Sequence, residues 1–150
     1  MKRNFNLVIG AVAAVIFAVS QALAETHPVQ LAVFEPVQIF SVEESISGLR
    51  LNLLYGRNYS VTGLDLGLVG AVDSDFTGWQ YNFGANITKG NFSGLQMGVV
   101  NYANSAKGLQ LGLINYAVSL NGVQIGLINI IRRGGMFPVF PIVNWSFQTH

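Results

Sequence analysis

Apolar residues take every second position in six short units of one design: Gly48-Leu-Arg-Leu-Asn-Leu, Gly63-Leu-Asp-Leu-Gly-Leu, Gly78-Trp-Gln-Tyr-Asn-Phe, Gly94-Leu-Gln-Met-Gly-Val, Gly108-Leu-Gln-Leu-Gly-Leu and Gly122-Val-Gln-Ile-Gly-Leu. The units begin 15, 15, 16, 14 and 14 residues apart. A period of two belongs to an extended strand with one apolar face. Glycine at every fourth position would also cost a helix about 1 kcal/mol each relative to alanine. Leu49, Leu51, Leu53 and their equivalents, including Trp79, Tyr81 and Phe83, therefore share one face. Arg50, Asp65, Gln80, Gln96, Gln110 and Gln124 share the other.

Polar or glycine-containing links separate the units, among them Asp73-Ser74-Asp75, residues 88–91 and residues 104–107. Their composition is that of hairpin turns. Residues 29–40, which contain Pro36 and so suit a kink or an edge, and residues 137–147 bring the expected strands to eight.

Two architectures fit. In an eight-stranded antiparallel closed β-barrel of outer-membrane type, the leucine face meets lipid and the Gln/Gly face fills a narrow interior. Arg50 and Asp65 are then neighbours on the inner face, and the alternation of Val143, Trp145 and Phe147 supplies an aromatic-ended final strand. In a parallel β-solenoid of 14–16-residue coils, equivalent residues stack. Gln80, Gln96, Gln110 and Gln124 then form one amide ladder, and Asn101, Asn115 and Asn129 a second. Repetition over one strand rather than two favours the solenoid, since antiparallel neighbours reverse direction. Parity also puts Tyr102 and Tyr116 on the Gln/Gly side, where a barrel would need a bulge to bring them to a lipid interface. The drifting spacing, and a solenoid surface showing Val100, Ile114 and Ile128 to water, favour the barrel. The barrel is the expected fold, with the solenoid as its alternative.

Composition sharpens this picture. The chain of 150 residues is 51% hydrophobic and 10% charged and has no Cys, against roughly 25% charged in soluble domains. It calls for a membrane, a partner or its own copies to cover its surface. Residues 1–24 read as a signal peptide: Lys2 and Arg3 precede an apolar run at 7–19, and Ala22-Leu23-Ala24 has the small-x-small cleavage pattern. Residues 25–150 form a single β-repeat domain. From Glu25 onward six Lys/Arg face seven Asp/Glu, so no basic face awaits a nucleic acid. The expected location is the bacterial outer membrane or cell surface, with outer-membrane lipid as partner and an envelope or host surface protein as a further one.

The wording of the units carries a resemblance. Gly-Leu-Gln-Leu-Gly-Leu-Ile-Asn-Tyr-Ala at 108–117, its near copies at 94 and 122, the leading unit at 48 and the closing stretch at 137–147 resemble the bacterial surface-repeat proteins first named in spirochaetes. The resemblance covers most of the chain after residue 24. It implies an exported, envelope-associated protein and supplies no catalytic residue. Some members look like lipoproteins, whereas this chain has no Cys to carry a lipid.

Candidate chemistry is sparse. His27 and His150, near the two ends, lack partners at ligand spacing and read as solvated tail residues. Asp73 with Asp75, and Glu43 with Glu44, are carboxylate pairs in loops. Arg132-Arg133 beside Gly134-Gly135 suit a solvated turn or lipid phosphates at a barrel rim. No catalytic, cofactor-binding or metal site and no cofactor is expected, and the function expected is structural or interactive rather than enzymatic. The alternative is a secreted or surface-attached solenoid binding through its stacked polar face.

Overall fold

The computed structural model describes residues 25–147. They form eight strands in one sheet: β1 (Thr26–Phe34), β2 (Val37–Gln38), β3 (Ser45–Asn58), β4 (Val61–Val72), β5 (Phe76–Met97), β6 (Val100–Leu111), β7 (Ile114–Arg133) and β8 (Val139–Ser146). Their spatial order is β2-β1-β3-β4-β5-β6-β7-β8. From β1 and β3 through to β7 every neighbouring pair is parallel and close to in register, with Gly48 opposite Gly63, Gly63 opposite Gly78 and Gln96 opposite Gln110. The fold is a parallel β-solenoid of about seven turns.

This corrects the expected barrel. The sheet is not closed, and only the end pairs β1–β2 and β7–β8 are antiparallel. The links do not form hairpins either; Thr88 to Gly90 and Asn104 to Lys107 lie inside long strands that bend around the coil. The physical reason is the single-strand repeat. Parallel stacking sets each amide against its own kind one coil away, where a donor meets an acceptor, and antiparallel pairing would break that match. The spacing drift is absorbed locally, since the register slips by a residue at Asn52/Tyr55, Gly67/Val69 and Thr88/Asn91 and recovers in between.

A glycine column makes such close stacking possible. Gly63, Gly78, Gly94, Gly108 and Gly122 all have positive φ, between 122 and 153°. A methyl group built on any of them would overlap the carbonyl oxygen of the equivalent glycine in the preceding coil. Only a residue without Cβ fits there.

Inside the coil one zone is apolar. Ile46, Val61 and Phe76 stack in register, as do Phe92, Ala106 and Leu120, and they face Val72, Ala103, Ala117 and Ile131. The rings of Phe76 and Phe92 stack at 5.8 Å in the middle of this column. The other zone is polar and fully buried, holding Arg50, Asp65, the four glutamines and Asn86, Asn101, Asn115 and Asn129. Both ends are closed. Phe40 lies across the first coil, exchanging backbone hydrogen bonds with the Gln30 amide at 2.8 and 3.0 Å. At the other end Asn144 Nδ2 donates to the Phe137 carbonyl at 2.8 Å.

Candidate functional site

The polar interior is a structural network with no opening to a partner. Arg50 Nε and Nη2 donate to Asp65 Oδ1 and Oδ2 at 2.9 and 2.7 Å, and Nη1 donates to the Ala71 carbonyl at 2.8 Å. Asp65 also accepts from Asn52, Gln80 and Asn82 at 2.7, 3.1 and 2.8 Å. A carboxylate only accepts, so Gln80 must turn its Nε2 toward Asp65 and leave Oε1 for the next coil. Gln96 donates to that oxygen at 2.9 Å, Gln110 to Gln96 at 2.7 Å and Gln124 to Gln110 at 2.7 Å. The whole column is thus aimed at one carboxylate, and Gln124 Oε1 at its far end has no partner among the described residues. The asparagine column runs the opposite way: Asn86, Asn101 and Asn115 each donate at 2.8 Å to the next asparagine toward the C-terminus. Both expected ladders are present, but neither is a surface. The stacked polar face of the alternative reading is fully buried and points into the coil rather than out to a partner.

What the coil presents outward is apolar. Three stacked rows cover one face, the row nearest the bend being Leu53, Leu68, Phe83, Val99, Leu113 and Leu127. Leu53, Phe83 and Leu127 are 66–69% exposed. The chain then bends, at Gly98-Val99 and Gly112-Leu113 for example, and the apolar surface continues around the bend through Leu54, Val100, Ile114 and Ile128. The result is a convex apolar ridge running the length of the solenoid. The bend also reverses the in–out parity, so Asn101 points in and Tyr102 points out. Tyr102 and Tyr116 therefore sit on the outer surface one row beyond the ridge, their rings stacked at 5.3 Å, which corrects their assignment to the inner side. On the other flank Trp79 occupies the row farthest from the ridge, next to the polar row of Thr62, Thr77, Ser93, Lys107 and Asn121. At the N-terminal end Leu31, Val33, Ile39, Leu53 and Leu66 line an open apolar groove of about 730 Å³ that joins the same surface.

The candidate charged residues are placed as follows. Asp73 receives Arg57 Nε at 2.9 Å and Lys89 Nζ at 2.7 Å. Burial pushes its carboxyl up, but the hydrogen bonds and charges of Arg57 and Lys89 outweigh this and hold it below its ordinary value. Asp75 instead accepts from the backbone and side chain of Asn91 at 2.8 and 3.0 Å, so the pair does not converge on a common point. Glu43 accepts from Ser41 Oγ at 2.7 Å, which lowers its pKa. Arg132 and Arg133 are exposed at the end of β7. His150 and the expected signal peptide at 1–24 lie outside the described residues. His27 is not a solvated tail residue: it is 19% exposed and stacks on Phe40 at 3.6 Å with the rings 3° from parallel. Sequence spacing held no signal for this, since Phe40 and Glu44 reach it only through the turn after β2.

Among the described residues no helix is long and apolar enough to cross a membrane. Comparisons with protein-family models, curated proteins and solved structures found no match to this chain.

Proposed function

We propose that this chain is an exported, non-enzymatic β-solenoid of the cell envelope that lies on a lipid surface through its convex apolar ridge. The observation that carries this reading is the order of side chains across the ridge. Leucine, isoleucine and phenylalanine sit at the crest, Trp79 lies on one flank and Tyr102 and Tyr116 on the other. Charged Lys89 and Arg132 come one row farther out. That is the sequence of environments met on leaving an acyl region through a headgroup layer, where tryptophan and tyrosine place an apolar ring and a polar tip. Transfer of about 300 Å² of this surface from water is worth roughly 7 kcal/mol at ~25 cal/mol/Å², enough to hold the molecule at an interface without a lipid anchor. The groove beside Leu31 and Ile39 is open to a single acyl chain. The signal-peptide pattern and the likeness of the units to surface-repeat proteins agree with an envelope location.

Flotation with neutral phosphatidylcholine vesicles tests this. The full chain floats with the vesicles, the fluorescence of Trp79 in a Trp145→Phe background shifts to the blue, and Phe83→Asp combined with Leu113→Asp abolishes both while β-sheet circular dichroism is retained. A wild-type chain that stays monomeric in plain buffer and remains with the soluble fraction overturns the reading. One that assembles into a defined dimer with the ridge protected and without vesicle binding assigns the surface to a second copy instead.

A further inference from the structure

We propose that Glu25, His27 and Glu44 form a binding site for a divalent transition-metal ion of the zinc class, joining the first strand to the segment that closes the N-terminal end of the solenoid. Glu25 precedes β1, His27 lies within it, and Glu44 arrives from the turn before β3. One ligand atom of each lies within 4.8 Å of the other two. His27 Nε2 stands 3.4 Å from Glu44 Oε2 and 3.7 Å from Glu25 Oε2. Both separations exceed the roughly 2.7–3.2 Å of a hydrogen bond. They approach the edge of a coordination tetrahedron, since two ligands each about 2.0–2.1 Å from zinc are about 3.3–3.4 Å apart.

Nε2 is itself shielded from solvent, has no hydrogen-bond partner among the described residues and faces the two carboxylates. The surroundings fix the ligands as a metal site requires. Phe40 stacked on the imidazole sets its plane, and the Ser41 backbone N–H donates to Glu44 Oε2 at 3.1 Å. One imidazole and two carboxylates leave the fourth tetrahedral position to water. An imidazole donor selects a borderline ion over magnesium, which prefers oxygen. Because the three ligands come from two sides of the end closure, the ion would pin Phe40 and Ser41 over the end of the first coil. Binding and end stability are then linked.

The test is calorimetric titration of the untagged full chain with zinc and with magnesium, followed by thermal unfolding with and without zinc. The expected result is one saturable zinc site per chain, a raised Tm with zinc, and no response to magnesium. His27→Phe, which keeps the ring stack on Phe40, and the isosteric Glu44→Gln each lower zinc affinity by at least about tenfold with unchanged circular dichroism, and His150→Ala leaves it unaltered. Absence of saturable zinc binding in the wild type overturns the proposal. So does retention of affinity in both site variants, loss of affinity in His150→Ala, or equal binding of magnesium.

Discussion

The Arg50 guanidinium and the Asp65 carboxylate lie side by side in adjacent coils, joined by two hydrogen bonds of 2.9 and 2.7 Å, with neither side chain exposed at all. They occupy positions that glutamine fills in four of the later coils, and they are in register, Arg50 opposite Asp65 and Asp65 opposite Gln80. A buried ion pair is therefore spliced into an amide ladder and sets its direction.

Breaking this pair from one side leaves a charge stranded in the coil. Asp65→Ala is expected to cost about 3–5 kcal/mol, because Arg50 loses its counter-ion while Gln80, Asn52 and Asn82 lose their acceptor. The double variant Arg50→Gln, Asp65→Gln continues the ladder of Gln80, Gln96, Gln110 and Gln124 by two rungs and removes both charges. It should return most of that loss, since replacing a buried pair outright is often neutral or stabilising by about 1–4 kcal/mol. Urea unfolding of wild type, single and double variants measures it. A double variant no more stable than Asp65→Ala would show that the ion pair cannot be replaced by a further amide rung.

The glycine column makes a second, sharper demand. Gly108 has φ 128°, and a Cβ on it would overlap the Gly94 carbonyl oxygen. Gly108→Ala combines a backbone conformation costing of order 1–3 kcal/mol in any other residue with a clash that pushes two coils apart. A lowered urea midpoint is expected, against no change for the half-buried outer-row control Ser93→Ala. Equal stability of the two variants would mean that the coils do not stack through their glycines.

Much of this architecture is legible in the sequence, and what is not has a definable cause. Period two assigns Leu111 outward and Gln110 inward whichever way the neighbouring strand runs, so the faces of the repeats and the meeting of Arg50 with Asp65 are readable from parity alone. Strand direction is not, because alternation is the same in parallel and antiparallel sheets. Direction is carried instead by the identity of successive units, since a one-strand repeat stacks like on like only where neighbours run parallel. Parity fails at the bend, where Gly98 and Val99 reverse the side on which the next residues point, and Tyr102 is misplaced for that reason. The surroundings of His27 are beyond any local pattern, since they depend on residues 13 and 17 positions later being folded back over the first coil.

The remaining prediction concerns acid. Asp73 bridges Arg57 and Lys89 from three successive coils, with Arg57 Nη2 at 2.9 Å and Lys89 Nζ at 2.7 Å, and its carboxyl is held below its ordinary value despite the burial that opposes this. The Arg57 guanidinium is correspondingly raised by its hydrogen bond to Asp73, and it stays charged throughout the accessible range. A carboxylate whose folded pKa is depressed contributes stability that is fully present above its unfolded value of about 3.9 and is lost as pH falls through the folded value. The step in Tm assigned to Asp73 should therefore lie below about pH 4 and be absent near neutrality. Asp73→Asn should remove it, and because the cluster is partly exposed, added salt should shrink it. The check is thermal unfolding between neutral pH and strong acid, at low and at high salt, for wild type and Asp73→Asn. Parallel curves for the two proteins across the acid range would show that the three-coil bridge adds nothing to the fold.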